Sequence, residues 1–233
     1  MSQSIYRAFT FVDMLVVLVI LVGLIAIALP MLGNSRRGGS RQMQNSTQIR
    51  GIHSGLVLFS QGNNTYYPGY DRDGNRMEDY SVEFRFQELL DDNYFTGEYI
   101  ISPSETKSAS NTTPSKITTA NYSYAMLNLS VLDSPRNHEW RDTSNSEAVV
   151  LSDRAISNGK DGAIKSVHTN PSSDINEWRG AMGWNDNHVT FEATHDQLTT
   201  QYGDSQFTAD NIFDTESGSM VYEGVDVIVD TKK

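Results

Sequence analysis

Residues 14–29 form a run of sixteen without one charged or strongly polar side chain. Extended to Phe9 and Leu32, the run covers 24 residues, interrupted only by Thr10, Asp13 and Pro30. A helix crossing about 30 Å of hydrocarbon needs roughly 20 such residues, so this segment is long enough to span a bilayer. Charge is distributed unevenly around it. Residues 1–50 carry Arg7, Arg36, Arg37, Arg41 and Arg50 against Asp13, a net of +4; residues 51–233 carry 13 basic and 28 acidic side chains, a net of −15. A basic collar after an apolar span anchors to lipid headgroups, and an acidic body keeps a solvated surface. The acid excess argues against a nucleic-acid partner, which needs a basic face. The absence of cysteine removes disulfides, thiolate metal sites and cysteine nucleophiles.

Asp13 stands inside the apolar run. An ionised carboxylate at mid-bilayer costs about 2.5–3.5 kcal/mol. Either Asp13 marks the end of the span near the headgroups, or it has a specific partner inside a protein assembly. The stretch Arg7-Ala8-Phe9-Thr10-Phe11-Val12-Asp13, followed by the apolar run, resembles the class III leader junction of type IV pilins and type II secretion pseudopilins. That resemblance implies cleavage between Ala8 and Phe9 by a prepilin peptidase and methylation of the new amine of Phe9. It also implies that Asp13, the fifth residue after the cut, pairs with the N-terminal amine of a neighbouring subunit. Pro30 corresponds to the family's mid-helix proline, whose ring removes a helix hydrogen bond and kinks the rod. Two residues depart from the pattern: Ala8 stands where the family nearly always has Gly, and Asp13 replaces the usual Glu. Ala26-Ile27-Ala28 offers a competing signal-peptidase site, against which a carboxylate in the apolar core argues. Counting arginines on either side of the span would place the body in the cytoplasm; the resemblance places it outside.

Beyond Gly33 and Gly38-Gly39, Met43, Ile49, Ile52, Leu56 and Phe59 recur at helical spacing, giving an amphipathic helix that ends at Gln61-Gly62-Asn63-Asn64. His53 lies beside this stripe and reads as a packed or solvent-facing histidine. After it, Tyr66-Tyr67-Pro68-Gly69 reads as a turn and residues 84–90 as a short helix. Residues 99–103 look extended, stopped by proline. Residues 107–119 form a Ser/Thr/Asn-rich loop. Residues 122–127, 148–151 and 225–229 are strand candidates, and 183–191 a tight hairpin turning at Asp186-Asn187. The expected fold is α+β and pilin-like: a long N-terminal helix, half membrane and half amphipathic, packed on an antiparallel β-sheet with long loops. The expected boundaries are a leader at 1–8, a transmembrane half-helix at 9–32, an amphipathic half-helix at 33–62, and an extracytoplasmic β-rich domain at 63–233. Gln44-Asn45-Ser46-Thr47 through His53, Asn64-Thr65-Tyr66-Tyr67-Pro68-Gly69, and Trp184-Asn185-Asp186-Asn187-His188-Val189 are similar to motifs of pseudopilin-like proteins abundant in planctomycete-type bacteria. In those the hairpin reads roughly Phe-Ala-Asp-Gly-His-Val; Asn187 stands in the Gly place. Their preceding histidine has no clean counterpart, since His168 lies eighteen residues before Asp186.

Asp71-Arg72-Asp73-Gly74-Asn75 is oxygen-rich, and Asp71, Asp73 and Asn75 form a weak candidate calcium loop. Arg76 and Val82 stand where an EF-hand needs Gly and Glu, which excludes that motif. Ser152, Asp153 and His168 or His188 could compose a hydrolytic set, but no G-x-S-x-G surrounds Ser152. His188 and His195 are seven apart, unlike a helical zinc pair. The N-x-[ST] sequons at Asn45, Asn63, Asn111, Asn121 and Asn128 need no glycan. The expectation is therefore a non-enzymatic subunit of a type II secretion pseudopilus or type IV pilus-like filament, with no cofactor beyond the calcium considered above. Absent cysteines lean toward pseudopilin, because many type IV pilins close a C-terminal disulfide loop. The implied partners are a prepilin peptidase, other pilin-like subunits, the inner membrane and a secretion-system platform. The implied location is a single pass in the inner membrane, with the body in the periplasm or in an extracellular filament. The alternatives are a monomeric anchored ligand-binding domain and an extracytoplasmic enzyme.

Overall fold

A computed structural model describes residues 11–157, 159, 163–169, 177–214 and 220–231; for residues 25–40 it describes the backbone alone. The chain divides into two units, Met1–Arg41 and Gln42–Lys233. Helix α1 (Phe11–Gly62) supplies the described part of the first unit and the first element of the second. Its helical backbone runs through Pro30, Gly33, Gly38 and Gly39. It stops where expected: Asn64 and Thr65 take positive φ, and the Thr65 N–H reaches back to the Ser60 carbonyl at 2.9 Å.

The second unit is α+β. Helix α2 (Val82–Asp91) opens on Ser81, whose hydroxyl accepts the Phe84 N–H at 3.2 Å. Ten strands follow among the described residues: β1 (Tyr124–Leu127), β2 (Val149–Asp153), β3 (Ala155–Ser157), β4 (Ile164–Lys165), β5 (Gly180–Trp184), β6 (Val189–Glu192), β7 (Leu198–Tyr202), β8 (Ser205–Asp210), β9 (Met220–Val221) and β10 (Val229–Asp230). The main sheet has the order β6-β5-β2-β1-β9 and is antiparallel throughout. Strands β1, β2 and β5 are buried at every position, which is why Tyr124–Leu127 and residues 149–151 read as apolar runs rather than alternating ones, while Ser152 and Asp153 are buried polar residues. The expected antiparallel sheet is present; a second sheet, β10-β3-β4, adds one parallel pair, β10 with β3.

Strands β7 and β8 form a separate hairpin joined by the two residues Gly203-Asp204, with Gly203 at φ +56°. It is fastened to the 3₁₀ turn Pro135–Glu139. Arg136 donates through Nη1 and Nη2 to both Asp210 oxygens at 3.0 and 2.6 Å. The guanidinium lies over the rings of Tyr202 and Phe207 at 4.5 and 4.6 Å, and Thr200 Oγ1 donates to Asp210 at 2.5 Å. A fork-shaped cation on a planar carboxylate, flanked by aromatic faces, is the geometry that favours Arg over Lys.

Three local expectations change. Residues 97–100 form a 3₁₀ turn, so Tyr99 and Ile100 are not extended. A Cβ at Gly97 would lie 2.8 Å from the Ser110 carbonyl, so glycine lets the 107–119 loop press against this turn. Residues 225–228 are not a strand. Gly224, at φ +63°, reverses the chain, and Glu223 and Val227 exchange backbone hydrogen bonds at 3.1 Å, so the last strand is only Val229–Asp230. Met43, assigned to the buried stripe, is 74% exposed.

Candidate functional site

Of the residues expected to carry function, Ala8 and Phe9 lie outside the described residues. Asp13 lies in the first turn of α1, where a carboxylate complements the positive end of the helix dipole. Every side chain of residues 11–24 is exposed. Phe11, Leu18 and Leu24 point into open surroundings alongside Val12, Val16 and Ile20. A helix that is apolar all round is one that another environment covers, since isolated soluble proteins rarely show apolar patches beyond a few hundred Å². Among the described residues, no helix is long and apolar enough to cross a membrane. Of the expected span 9–32, residues 9 and 10 and the side chains from 25 onward fall outside the description, and Pro30 is described only as helical backbone.

The later part of α1, in the second unit, is built differently. Asn45, Ile49, Ile52, His53, Leu56 and Ser60 are buried, a 3.6-residue stripe. Glycines bring this stripe close to its neighbours. A Cβ on Gly183 of β5 would stand 2.7 Å from Ile49 Cγ2, so the helix lies almost on the sheet backbone. Gly51 and Gly55 receive the rings of Tyr99 and Phe95, which stack on each other at 6.2 Å. Each helical glycine costs about 1 kcal/mol relative to Ala, and the rings seated on them offset it by burial. On the outward side, Thr47 Oγ1 donates to the Met43 carbonyl at 2.9 Å and Ser54 Oγ to the Arg50 carbonyl at 3.0 Å. Those hydroxyls are therefore satisfied within the helix.

Polar ties fix the helix in register. Asn45 Nδ2 donates to both oxygens of Asp153 at 2.9 and 3.0 Å. Asp153 also accepts the Ala181 N–H at 2.7 Å and lies 3.1 Å from His168 Nε2. The Tyr124 hydroxyl lies 2.9 Å from Asn45 Oδ1 and 2.8 Å from Gln48 Oε1 and has one proton to share between the two acceptors. One turn and more along, His53 Nε2 lies 3.3 Å from Asn185 Oδ1, which also accepts from the Tyr67 hydroxyl at 2.8 Å. Burial lowers the His53 pKa, favouring the neutral ring. His53 is thus a packed histidine. Asn185 Nδ2 reaches the carbonyls of Glu139 and Arg141 at 2.9 and 2.8 Å. The hairpin expected at 183–191 is present as β5 and β6, with Asn187 at φ +70°. Its first turn residue, Asn185, is the buried hub of the network rather than a surface residue. Sequence reasoning missed Asn45, Asp153, Glu139 and Asn185 as ties. The available signal was Asn45 itself, a polar residue at a stripe position four before Ile49.

The remaining candidates resolve as follows. His168 does meet Asp153, but Ser152 is the neighbouring strand residue and points to the other face of β2. Its hydroxyl is buried without a hydrogen-bond partner among the described residues, so the three do not form a relay. His188 instead pairs with Asp186 at 2.5 Å, and His195 Nδ1 lies 2.9 Å from Asn211 Oδ1. Among the described residues, no three His or acidic side chains gather in a group that could hold a metal. In the candidate calcium loop, Asp71 Oδ1 accepts the N–H groups of Asp73 and Asn75 at 2.9 and 2.8 Å, and Oδ2 accepts Asn75 Nδ2 at 3.1 Å. The carboxylate is a cap on its own loop. Those hydrogen bonds hold its pKa below the ordinary carboxylate value. Compared with known proteins, the chain has no match: no family model, no curated protein and no solved structure matches it.

Proposed function

We propose that this chain is a pilin-like structural subunit of a type II secretion pseudopilus or type IV pilus-like filament, and that it acts by assembly rather than catalysis. The observation that carries this reading is the contrast along α1: apolar all round over residues 11–24 and striped over residues 42–62. The striped part needs only its own globular unit. The apolar part needs cover that its own unit does not give, first from the inner membrane and then from the same helix of other subunits. Asp13 is the one charge in the described apolar stretch. In this mechanism a prepilin peptidase removes residues 1–8, and Asp13 neutralises the Phe9 amine of an adjacent subunit. Pairing relieves the cost of holding either charge away from water and fixes the axial register. The body at 63–233 then lies on the outer side of the membrane or on the filament surface, with the secretion platform as a further partner.

Intact-mass and N-terminal sequencing of the protein from its native membrane test this. A chain starting at methylated Phe9 supports the reading. A chain starting at Leu29, after Ala26-Ile27-Ala28, removes the assembling segment and ends it.

A further inference from the structure

The second unit carries an open cleft of about 510 Å³, within the roughly 300–1,000 Å³ typical of small-ligand sites. Its lining is unusual for so acidic a chain. Arg76, Arg141 and His138 line it, and no Asp or Glu does. Neither arginine forms an ion pair among the described residues. Arg76 donates through Nη1 to the carbonyls of Leu129 and Ser130 at 2.6 and 3.1 Å, and Arg141 through Nε to the His138 carbonyl at 3.2 Å. Among the described residues, then, two guanidinium groups line one cleft with no carboxylate at ion-pair distance, in a protein of net charge −11, and that of Arg76 lies over the Tyr80 ring at 4.2 Å.

One wall is aromatic and rigidly built. Tyr66 and Tyr70 stack at 5.9 Å and 25°. The chain between Tyr70 and Arg76, which pair as an antiparallel bridge, is the loop capped by Asp71. Gly74 in that loop, at φ +78°, lets the Tyr66 ring approach to where a Cβ would stand 2.5 Å from its hydroxyl. The carboxylate considered above for calcium thus holds the loop that presents Arg76. The other wall is formed by the turn that carries Ser134, Asn137 and His138. Asn137 donates to the Val131 carbonyl at 2.6 Å, while its own Oδ1 is covered and has no partner among the described residues.

We propose that this cleft binds an acidic sugar, with its carboxylate or sulfate held by Arg76 and Arg141 and its ring seated against the tyrosine pair. Guanidinium forks match planar or tetrahedral oxyanions. An aromatic face covers the apolar side of a sugar ring. Calorimetric titration of the full chain in mild detergent tests the assignment, with trigalacturonate as the acidic probe. Maltotriose, sodium sulfate and adenosine monophosphate serve as comparisons. Trigalacturonate is expected to bind saturably and to weaken with salt. Arg141→Gln, which removes no carbonyl tie of Arg76, weakens it roughly tenfold or more. Leu132→Glu, at an exposed lining position, weakens it as well by bringing like charge into the cleft, and both variants keep the parent melting temperature. The proposal is overturned by absence of saturable binding at millimolar trigalacturonate. It is equally overturned by unchanged affinity in both variants, or by equal or tighter binding of any one of the three comparison probes.

Discussion

The two ends of α1 are made of the same secondary structure and have opposite needs. Over residues 42–62 the helix buries one stripe on β1, β2 and β5 and turns Thr47, Arg50 and Gln61 outward. Over residues 11–24 no face is buried, and the only acid is Asp13. A stripe is a local solution, complete once one sheet is present. An all-round apolar surface is a demand on the surroundings, and one acid within it must find a cation or stay near water. Helix content alone says nothing of function; the difference in burial between the two stretches carries the proposal of assembly.

That contrast can be broken from either end. The largest effect is expected from Asp13→Ala, which keeps the chain in the membrane but abolishes crosslinked ladders through the N-terminal helix. Ladders as abundant as those of the parent would sink the pairing mechanism. Next, Gly183→Leu forces a side chain between β5 and Ile49 and is expected to cost about 1–3 kcal/mol, read as a lower denaturation midpoint. By contrast, a Cβ added at Gly23 has nothing within 4 Å, and Gly23→Ala leaves the midpoint equal or slightly higher. A loss at Gly23 matching that at Gly183 would erase the distinction between the two stretches. Asn45→Ala removes two donors from buried Asp153 and is expected to cost about 1–3 kcal/mol; Asn45→Asp costs more, by setting two carboxylates together.

The smallest effects are in pH. His53 has a lowered pKa in the fold, caused first by burial. Below the ordinary value of 6.5, the unfolded chain therefore binds a proton that the folded one resists, and stability falls as pH drops. Glu88 has the opposite sign, raised to about 7 by burial. Its contribution is full below about 4.5 and is lost as pH rises through 7. Urea midpoints between these limits should fall less on the acid side in His53→Gln and less on the neutral side in Glu88→Gln. If neither variant alters the profile, the two groups are not buried as described.

Much of the layout was legible in sequence. Strand β1 and the first part of β2 announce themselves as apolar runs at 122–127 and 148–151, and Asp186-Asn187 marks its hairpin because Asn tolerates positive φ. Tyr67-Pro68-Gly69-Tyr70 closes with the Tyr70 N–H on the Tyr67 carbonyl at 3.3 Å and Gly69 at φ +93°, as a proline and glycine pair requires. The β7–β8 hairpin was also within reach. Gly203-Asp204 is a two-residue turn signal between Leu198–Tyr202 and Ser205–Asp210. What sequence does not show is long-range. Asp153 meets Asn45 across 108 residues and Asn185 meets His53 across 132, and nothing local marks a polar residue as the partner of another so far away. The same holds for Arg76 and Arg141, which share a cleft only because the loop after Tyr70 folds back on the turn after Ser134.

The clasp between Arg136 and Asp210 bears on how such a body is finished in a chain without cysteine. It ties a late hairpin back onto an earlier turn by charge, geometry and two aromatic faces, with no covalent bond to form. Closure of that hairpin therefore waits on no oxidant and no isomerase. Dithiothreitol should leave its melting curve where it was, and the body can reach its final shape in a reducing compartment as readily as in an oxidising one.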